Sequence, residues 1–266
     1  MSTPSGTSRP LGTGTPAAPT SWLAMVAALT RNELRLAIRR GESLLVTFII
    51  PAGVLLVFSG FDTSAGTATG KPVERMLPGS IALAIIAASM VSLAIATGFE
   101  RSYGVIKRLG GSPAGASTVV ASKTVAVIVI EAVQVLLLVG IAIALGWTPG
   151  AGASPLLVVA GVVLGTVAFA GLGLLMAGTL RAEATLALAN LLFLLSLVLG
   201  GIVLPLDRLP GAVATLASAL PPAALSAVLS VGLRGTAIGD ATEPLLILAG
   251  WAIVLGGLAA RKFRWD

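Results

Sequence analysis

The sequence predicts an all-α membrane protein with six transmembrane helices and both termini on the cytoplasmic side. Two observations lead to this prediction: the chain contains six long apolar stretches, and its basic residues are concentrated in alternate connecting segments. A helix of about 20 apolar residues crosses a ~30 Å hydrocarbon core and satisfies its own backbone hydrogen bonds there. Each stretch reaches that length or comes within a few residues of it. The stretches are 44–60, 79–99, 119–147, 156–180, 184–206 and 245–260.

The positions of lysine and arginine predict the orientation. With a cytoplasmic N-terminus, four of the 17 basic residues fall outside and the other thirteen fall inside. This is the positive-inside bias of membrane proteins. The pI of about 10.8 therefore follows from topology. Nucleic-acid binding is not expected, because the chain shows no soluble face on which basic residues cluster with aromatic partners. The four outside residues are Lys71, Arg75, Arg208 and Arg234.

Composition excludes several kinds of chemistry. The chain has no cysteine and no histidine, so disulfides, thiolate or imidazole metal sites and Cys or His nucleophiles are ruled out. Glu131 is the single acidic residue expected inside a span, which leaves an intramembrane enzyme without a catalytic set. We predict no catalytic residue, no metal site and no enzymatic activity in this chain.

Three segments make up the predicted domain organisation. Residues 1–20 are rich in Ser, Thr, Gly and Pro and are expected to form a disordered cytoplasmic tail without the features of a signal peptide. Residues 21–41 form an amphipathic helix that Ser21 can cap and Gly41 can end. Residues 44–266 form the six-span domain.

The amphipathic helix carries a basic stripe opposite its apolar side chains. Glu33 departs from the pattern because it falls near the apolar side. The helix is either an anchor whose arginines meet lipid phosphates or a docking element for a cytoplasmic partner, and the two roles are compatible. The stripe consists of Arg31, Arg35 and Arg39.

The segment 99–117, between the second and third spans, is the most informative polar part of the chain. A short helix over 99–109 is predicted, followed by a Gly-Gly-Ser-Pro break at 110–113. A solvated loop that only sets topology is the alternative, although such a loop needs neither an aromatic residue nor the glycines. The candidate functional residues are Glu100, Arg101, Tyr103, Gly104, Lys107 and Arg108.

Other polar and small residues lie within or between the spans. Glu131 and Gln134 are one turn apart in the third span and predict a lining of a translocation path or a helix contact. Lys123, lower in that helix, is expected to snorkel to the surface. Gly161 and Gly165 form a GxxxG motif that indicates close helix packing.

The outer segment 207–235 is long but contains few charges. Prolines divide it into two helical pieces that are each too short to span the membrane. Such pieces are re-entrant or lie at the outer interface. The prolines in and before this segment are Pro205, Pro210, Pro221 and Pro222.

The segment ERSYGVIKRLGGSP at 100–113 resembles the cytoplasmic coupling segment of type-2 ATP-binding-cassette (ABC) transporter permeases. TRNELRLAIRR at 30–40 resembles the interface helix of that family, and the glycines and prolines after the fifth span resemble its exit loop. The resemblance covers residues 21–266.

The resemblance implies the membrane subunit of a bacterial exporter for lipids, polysaccharides, drugs or peptides, located in the cell membrane. It implies two partners: a second permease chain, identical or different, and a separate ATPase that uses ATP and Mg and docks on the coupling segment. The chain itself is expected to bind no cofactor, since Gly66–Lys71 departs from a phosphate-binding loop in its spacing and in the following Pro72.

A proton-coupled secondary transporter that uses Glu131 is the alternative function. It predicts internal repeats or broken helices with facing charges, and no convincing repeat relates the two halves of the sequence. Few charged residues fall in the spans, which slightly favours an apolar or amphipathic cargo.

Overall fold

The computed structural model describes residues 21–39, 41–60, 71–105, 108 and 115–262, and these residues form helices and connecting turns without a strand. Short 3₁₀ turns occur at Leu206–Arg208 and Ile238–Ala241. The helices are α1 (Trp22–Arg39), α2 (Gly41–Gly60), α3 (Pro72–Ile85), a π-helical segment (Ile86–Ser92), α4 (Leu93–Ser102), α5 (Gly115–Ala144), α6 (Pro155–Thr179), α7 (Ala182–Leu199), α8 (Gly211–Ser218), α9 (Pro221–Arg234) and α10 (Thr242–Lys262).

The predicted all-α membrane architecture is confirmed. In the described part of the chain, five helices are long and apolar enough to cross a membrane. They correspond to the second to sixth predicted spans, with some ends displaced. The count becomes six if α8 and α9, which meet at 75°, are taken as one broken span. The five are Pro72–Ser102, Thr118–Ala144, Pro155–Thr179, Ala182–Leu199 and Ile238–Lys262.

Two predicted spans differ from the observed helices. The first lies in α2, whose apolar part Thr47–Gly60 is shorter than the other spans. The fifth was predicted to reach residue 206, but α7 ends at Leu199. Gly201 follows in a left-handed conformation, with φ of +65°, which terminates the helix.

The continuous helix Pro72–Ser102 lies at the centre of the bundle. In its most apolar stretch of 18 residues, 78% is buried, whereas 22–44% of the corresponding stretch is buried in the other four long helices. It packs against α2, α5, α6 and α9. Hydropathy gives no sign of this central position, because a helix that faces lipid and a helix that faces protein are equally apolar.

A π-helical segment interrupts this central helix at Ile86–Ser92. The Ser89 hydroxyl donates to the carbonyl of Ile85 at 2.6 Å. Gly173 of α6 lies so close that a methyl group there would sit 2.9 Å from the Met90 carbonyl oxygen. The absence of a side chain at Gly173 therefore lets α6 approach the π segment.

α9 is packed inside the bundle and does not merely cover it. Leu225 and Leu229 are fully buried. The GxxxG pair of α6 supplies the space, since Gly165 faces Leu225 and Gly161 faces Val228. This glycine pair thus serves a helix contact within one chain.

Consecutive spanning helices run in opposite directions, so their ends form two groups. Lys71, before α3, donates to the carbonyl of Gly146 beyond the end of α5, at 2.5 Å, which joins those two ends. We call the other group of ends the basic end, and which side of the membrane it faces stays a prediction. Its basic residues include Arg101, Lys123, Arg181, Arg261 and Lys262.

We expect Gly171→Ala to destabilise the protein by about 1–3 kcal/mol, as overpacking does. A methyl group at this position of α6 would lie 2.8 Å from the backbone nitrogen of Gly256 in α10, and backbone cannot move aside. Gly140→Ala is the matched control, because nothing lies within 4 Å of a methyl group there. Thermal unfolding in detergent measures the difference, and equal melting temperatures would contradict the close contact of α6 with α10.

Candidate functional site

A buried lysine joins three helices at the basic end. The Lys123 ammonium in α5 donates to Glu33 Oε1 of α1 at 2.9 Å and to Glu100 Oε2 of α4 at 2.6 Å. Its side chain is only 5% exposed. We refer to these three residues as the Lys123 cluster.

The prediction that Lys123 snorkels to the surface is wrong. Two carboxylates surround its ammonium within the bundle, so the charge is satisfied there. The same contact explains why Glu33 interrupts the apolar side of α1. Thr30 forms a second link between α1 and α5, since its hydroxyl donates to the carbonyl of Ser122 at 3.3 Å.

Arg101 binds the end of α6 and does not project into solvent. Its guanidinium donates to the carbonyl oxygens of Gly178 at 2.5 Å and Leu180 at 2.7 Å. These carbonyls lie at a helix C-terminus, where no further turn satisfies them and where a cation is favoured by the helix dipole. Arg101 therefore fastens α4 to α6.

A tight turn follows Arg101 and ends the helix. The single helix predicted over 99–109 is wrong, because α4 stops at Ser102 and Gly104 adopts φ of +68°. The Arg108 side chain donates to the carbonyls of Tyr103 and Gly104 at 3.2 and 3.3 Å. Tyr103 is 69% exposed. Lys107 lies outside the described residues.

The predicted coupling residues thus fall into two groups. Glu100 and Arg101 are engaged with other helices, while Tyr103 and Arg108 are exposed and available to a partner. The arginines of α1 are exposed as well. Ser21 caps that helix as predicted, since its Oγ accepts from the Ala24 amide at 3.3 Å. The exposed arginines are Arg31, Arg35 and Arg39.

Glu131 and Gln134 are both buried at the contact of α5 with its neighbours, but they bind different helices. The Thr166 hydroxyl of α6 donates to Glu131 Oε2 at 2.5 Å. The Gln134 amide donates to the Thr47 carbonyl of α2 at 3.1 Å. Each Oε1 atom finds no partner among the described residues. The Ser89 hydroxyl, which lies beside Glu131, donates instead to Ile85.

A partly open cavity of about 500 Å³ lies against the Lys123 cluster. Its walls come from α1, the π segment, α4 and α5. Glu33 and Lys123 form its charged part, and the rest is mainly apolar. The sequence does not indicate this cavity, because its walls come from elements that are far apart in the chain.

The four prolines of the outer segment begin helical elements. Pro205 and Pro210 precede the 3₁₀ turn and α8, and both are exposed. Pro221 and Pro222 occupy the first turn of α9 and are buried. At a helix start the missing amide hydrogen of proline is not needed, so these residues fix where each piece starts.

The family model of the ABC-2 type transporter membrane domain matches residues 25–231. The chain belongs to the ABC-2 type transporter family. The matched region contains most of α1, the complete Lys123 cluster, the turn at Tyr103 and nearly all of α9. No curated protein matches the chain in sequence.

Membership of the ABC-2 family establishes a multi-pass membrane protein that acts as the permease component of an ABC transporter. The chain is a transport subunit. The Lys123 cluster is the part of the site that sequence reasoning missed, since Glu33, Glu100 and Lys123 are far apart in sequence. The misplaced Glu33 on the apolar side of α1 was the signal that could have found it.

We expect Lys123→Met to destabilise the permease by about 3–5 kcal/mol, because it leaves two carboxylates without their shared cation. Adding Glu33→Gln and Glu100→Gln to Lys123→Met removes those charges and is expected to recover most of the loss. Lys262→Met, at an exposed position of the same end, is the control. Unfolding in mixed micelles measures all three variants. A triple variant no more stable than Lys123→Met would show that charge pairing is not what the cluster provides.

Proposed function

We propose that this chain is the permease subunit of an ATP-driven exporter in the bacterial cell membrane. It works as a dimer with a second permease chain, identical or different, and a separate ATPase docks on it. The chain itself binds no cofactor, and ATP and Mg are used by the ATPase. Family membership supports the transport role, and the arrangement of the basic end supports the coupling.

The observation that carries the proposal is the linkage of exposed and buried residues at the basic end. Tyr103 and Arg108 project from a turn that directly follows Glu100 and Arg101. Glu100 is bonded to α5, and Arg101 is bonded to α6. A force that a partner applies to the turn therefore acts on two spanning helices within a few residues of the contact.

α1 provides a second connection between exposed residues and the spanning helices. Its arginines are exposed, while Glu33 on its other side is bonded to Lys123 of α5. A buried ion pair fixes α1 to the bundle. If a partner displaces α1, the helix therefore passes that displacement on to α5. The partner and the membrane surface can both use its exposed arginines.

We expect Tyr103→Ala to weaken the association with the ATPase while leaving the permease folded, because the side chain is 69% exposed. The measurement is affinity purification of the tagged chain from its native membrane, followed by mass spectrometry of the proteins that co-elute. Leu216→Ala is the control, since Leu216 is 71% exposed at the opposite end.

The expected result is an ABC ATPase that co-purifies with the wild type and with Leu216→Ala but is reduced at least severalfold with Tyr103→Ala. An ATPase retained equally by all three would mean that the turn is not the docking site. If no ATPase co-purifies in any sample under gentle detergent, the proposal of an ATP-driven exporter is contradicted.

A secondary transporter driven by protons is the second candidate, and one observation favours it: Glu131 is buried with one carboxyl oxygen unpartnered among the described residues. A carboxyl group at such a position usually faces a partner, a cavity or an ion path. Glu131→Gln keeps the shape and can still accept from Thr166. Glu243→Gln is the matched control at an exposed position.

For an ATP-driven exporter we expect Glu131→Gln to retain transport that depends on ATP hydrolysis. The measurement is transport into inverted vesicles, energised either by ATP or by a pH gradient alone. Transport that follows the pH gradient without ATP and is abolished by Glu131→Gln, but not by Glu243→Gln, would establish the secondary transporter instead.

A further inference from the structure

The cavity beside the Lys123 cluster has the features of a ligand site. Its volume of about 500 Å³ lies in the range of about 300–1,000 Å³ that small-molecule sites occupy. Apolar side chains from several elements line most of it, among them Leu36, Ile95 and Val127. Charged groups lie at one part of the wall, so a molecule that fills the cavity must combine an apolar body with a polar or charged group.

The sign of the local charge indicates which group. The Lys123 cluster contains two carboxylates and one ammonium, which leaves one unit of negative charge. The ammonium is almost fully enclosed by its partners at 5% exposure, whereas the Glu33 side chain is 22% exposed and lines the cavity. A ligand in the cavity therefore meets an accessible carboxylate and a shielded lysine.

Two aromatic rings add to the same preference. Phe99 and Tyr103 both line the cavity, and their ring centroids are 6.2 Å apart. The faces of aromatic rings attract cations and disfavour anions. The nearby arginines do not reverse this preference: Arg101 is bonded to the end of α6, and Arg108 is exposed, where water and salt screen its charge.

We propose that this cavity binds a lipophilic organic cation, a molecule with an apolar body and a single positive charge. The charge lies near Glu33 and the rings of Phe99 and Tyr103, and the body fills the apolar part between α1, α4 and α5. The inference rests on the proposed function in one respect, that the bound cation is a cargo of the exporter. Binding itself needs no ATPase.

Two ions of opposite charge and nearly equal shape test the proposal. Tetraphenylphosphonium and tetraphenylborate each carry four phenyl rings around a central atom, so a difference in their affinity reports the charge preference of the site. Equilibrium dialysis with the full-length chain in detergent measures the binding of each ion. Ala96→Phe fills the cavity from α4, so the ions that still bind to this variant measure non-specific partitioning into protein surface and detergent.

Glu33→Gln removes the net negative charge and leaves Lys123 paired with Glu100. We expect it to weaken tetraphenylphosphonium binding on the order of tenfold without weakening tetraphenylborate binding. Glu183→Gln, an equal change of charge at an exposed position that does not line the cavity, is expected to have no effect. Melting temperatures confirm that each variant is folded, and Ala37→Phe fills the cavity from α1 should Ala96→Phe fail to fold.

The expected result is saturable binding of the cation, tighter than that of the anion and lost when the cavity is filled. Equal binding of the two ions would overturn the proposal, because the site would then have no charge preference. Tighter binding of tetraphenylborate would overturn it and identify an anion site. Cation binding that persists in the cavity-filled variants, or no saturable binding, would overturn it as well. These outcomes are independent of ATPase co-purification, so failure of the cation site and failure of the exporter proposal are told apart.

Discussion

One ammonium group shared by two carboxylates organises the basic end of this permease. Lys123 is nearly closed to water, and its two partners belong to a helix that lies outside the spanning bundle and to the central helix of that bundle. An ion pair of this kind adds little net stability, because removing the charges from water costs about as much as their attraction returns. Its main effect is geometric, since the three charges satisfy one another where α1, α4 and α5 meet.

This geometric role separates the functions of adjacent residues in the coupling segment. Glu100 and Arg101 bind the bundle, and Tyr103 and Arg108 are exposed, although all four lie within nine residues. The change of direction depends on the left-handed conformation of Gly104, which a residue with a side chain adopts only with strain. The segment combines a fixed part and a free part because the backbone turns sharply between them.

The sequence predicts the architecture well because hydropathy and proline positions act locally. Short-range rules predict the five long apolar helices, the start of α1 after Ser21 and the division of the outer segment by Pro210 and Pro221. The contacts were harder to predict. Charge counts assign Lys123 to one end of the bundle but cannot reveal two partners that are remote in sequence. The burial of α9 could not be predicted either, because a helix surrounded by protein and a helix surrounded by lipid have equally apolar sequences.

The π-helical segment Ile86–Ser92 has a consequence for the register of the central helix. A π turn accommodates one residue more than an α turn, so the helix beyond it is out of phase with the helix before it. One residue of an α-helix corresponds to about 100° of rotation about the helix axis, so the side chains of α4 point in other directions than an uninterrupted α-helix would give them. Glu100 therefore faces Lys123 in a register that the π-helical segment sets.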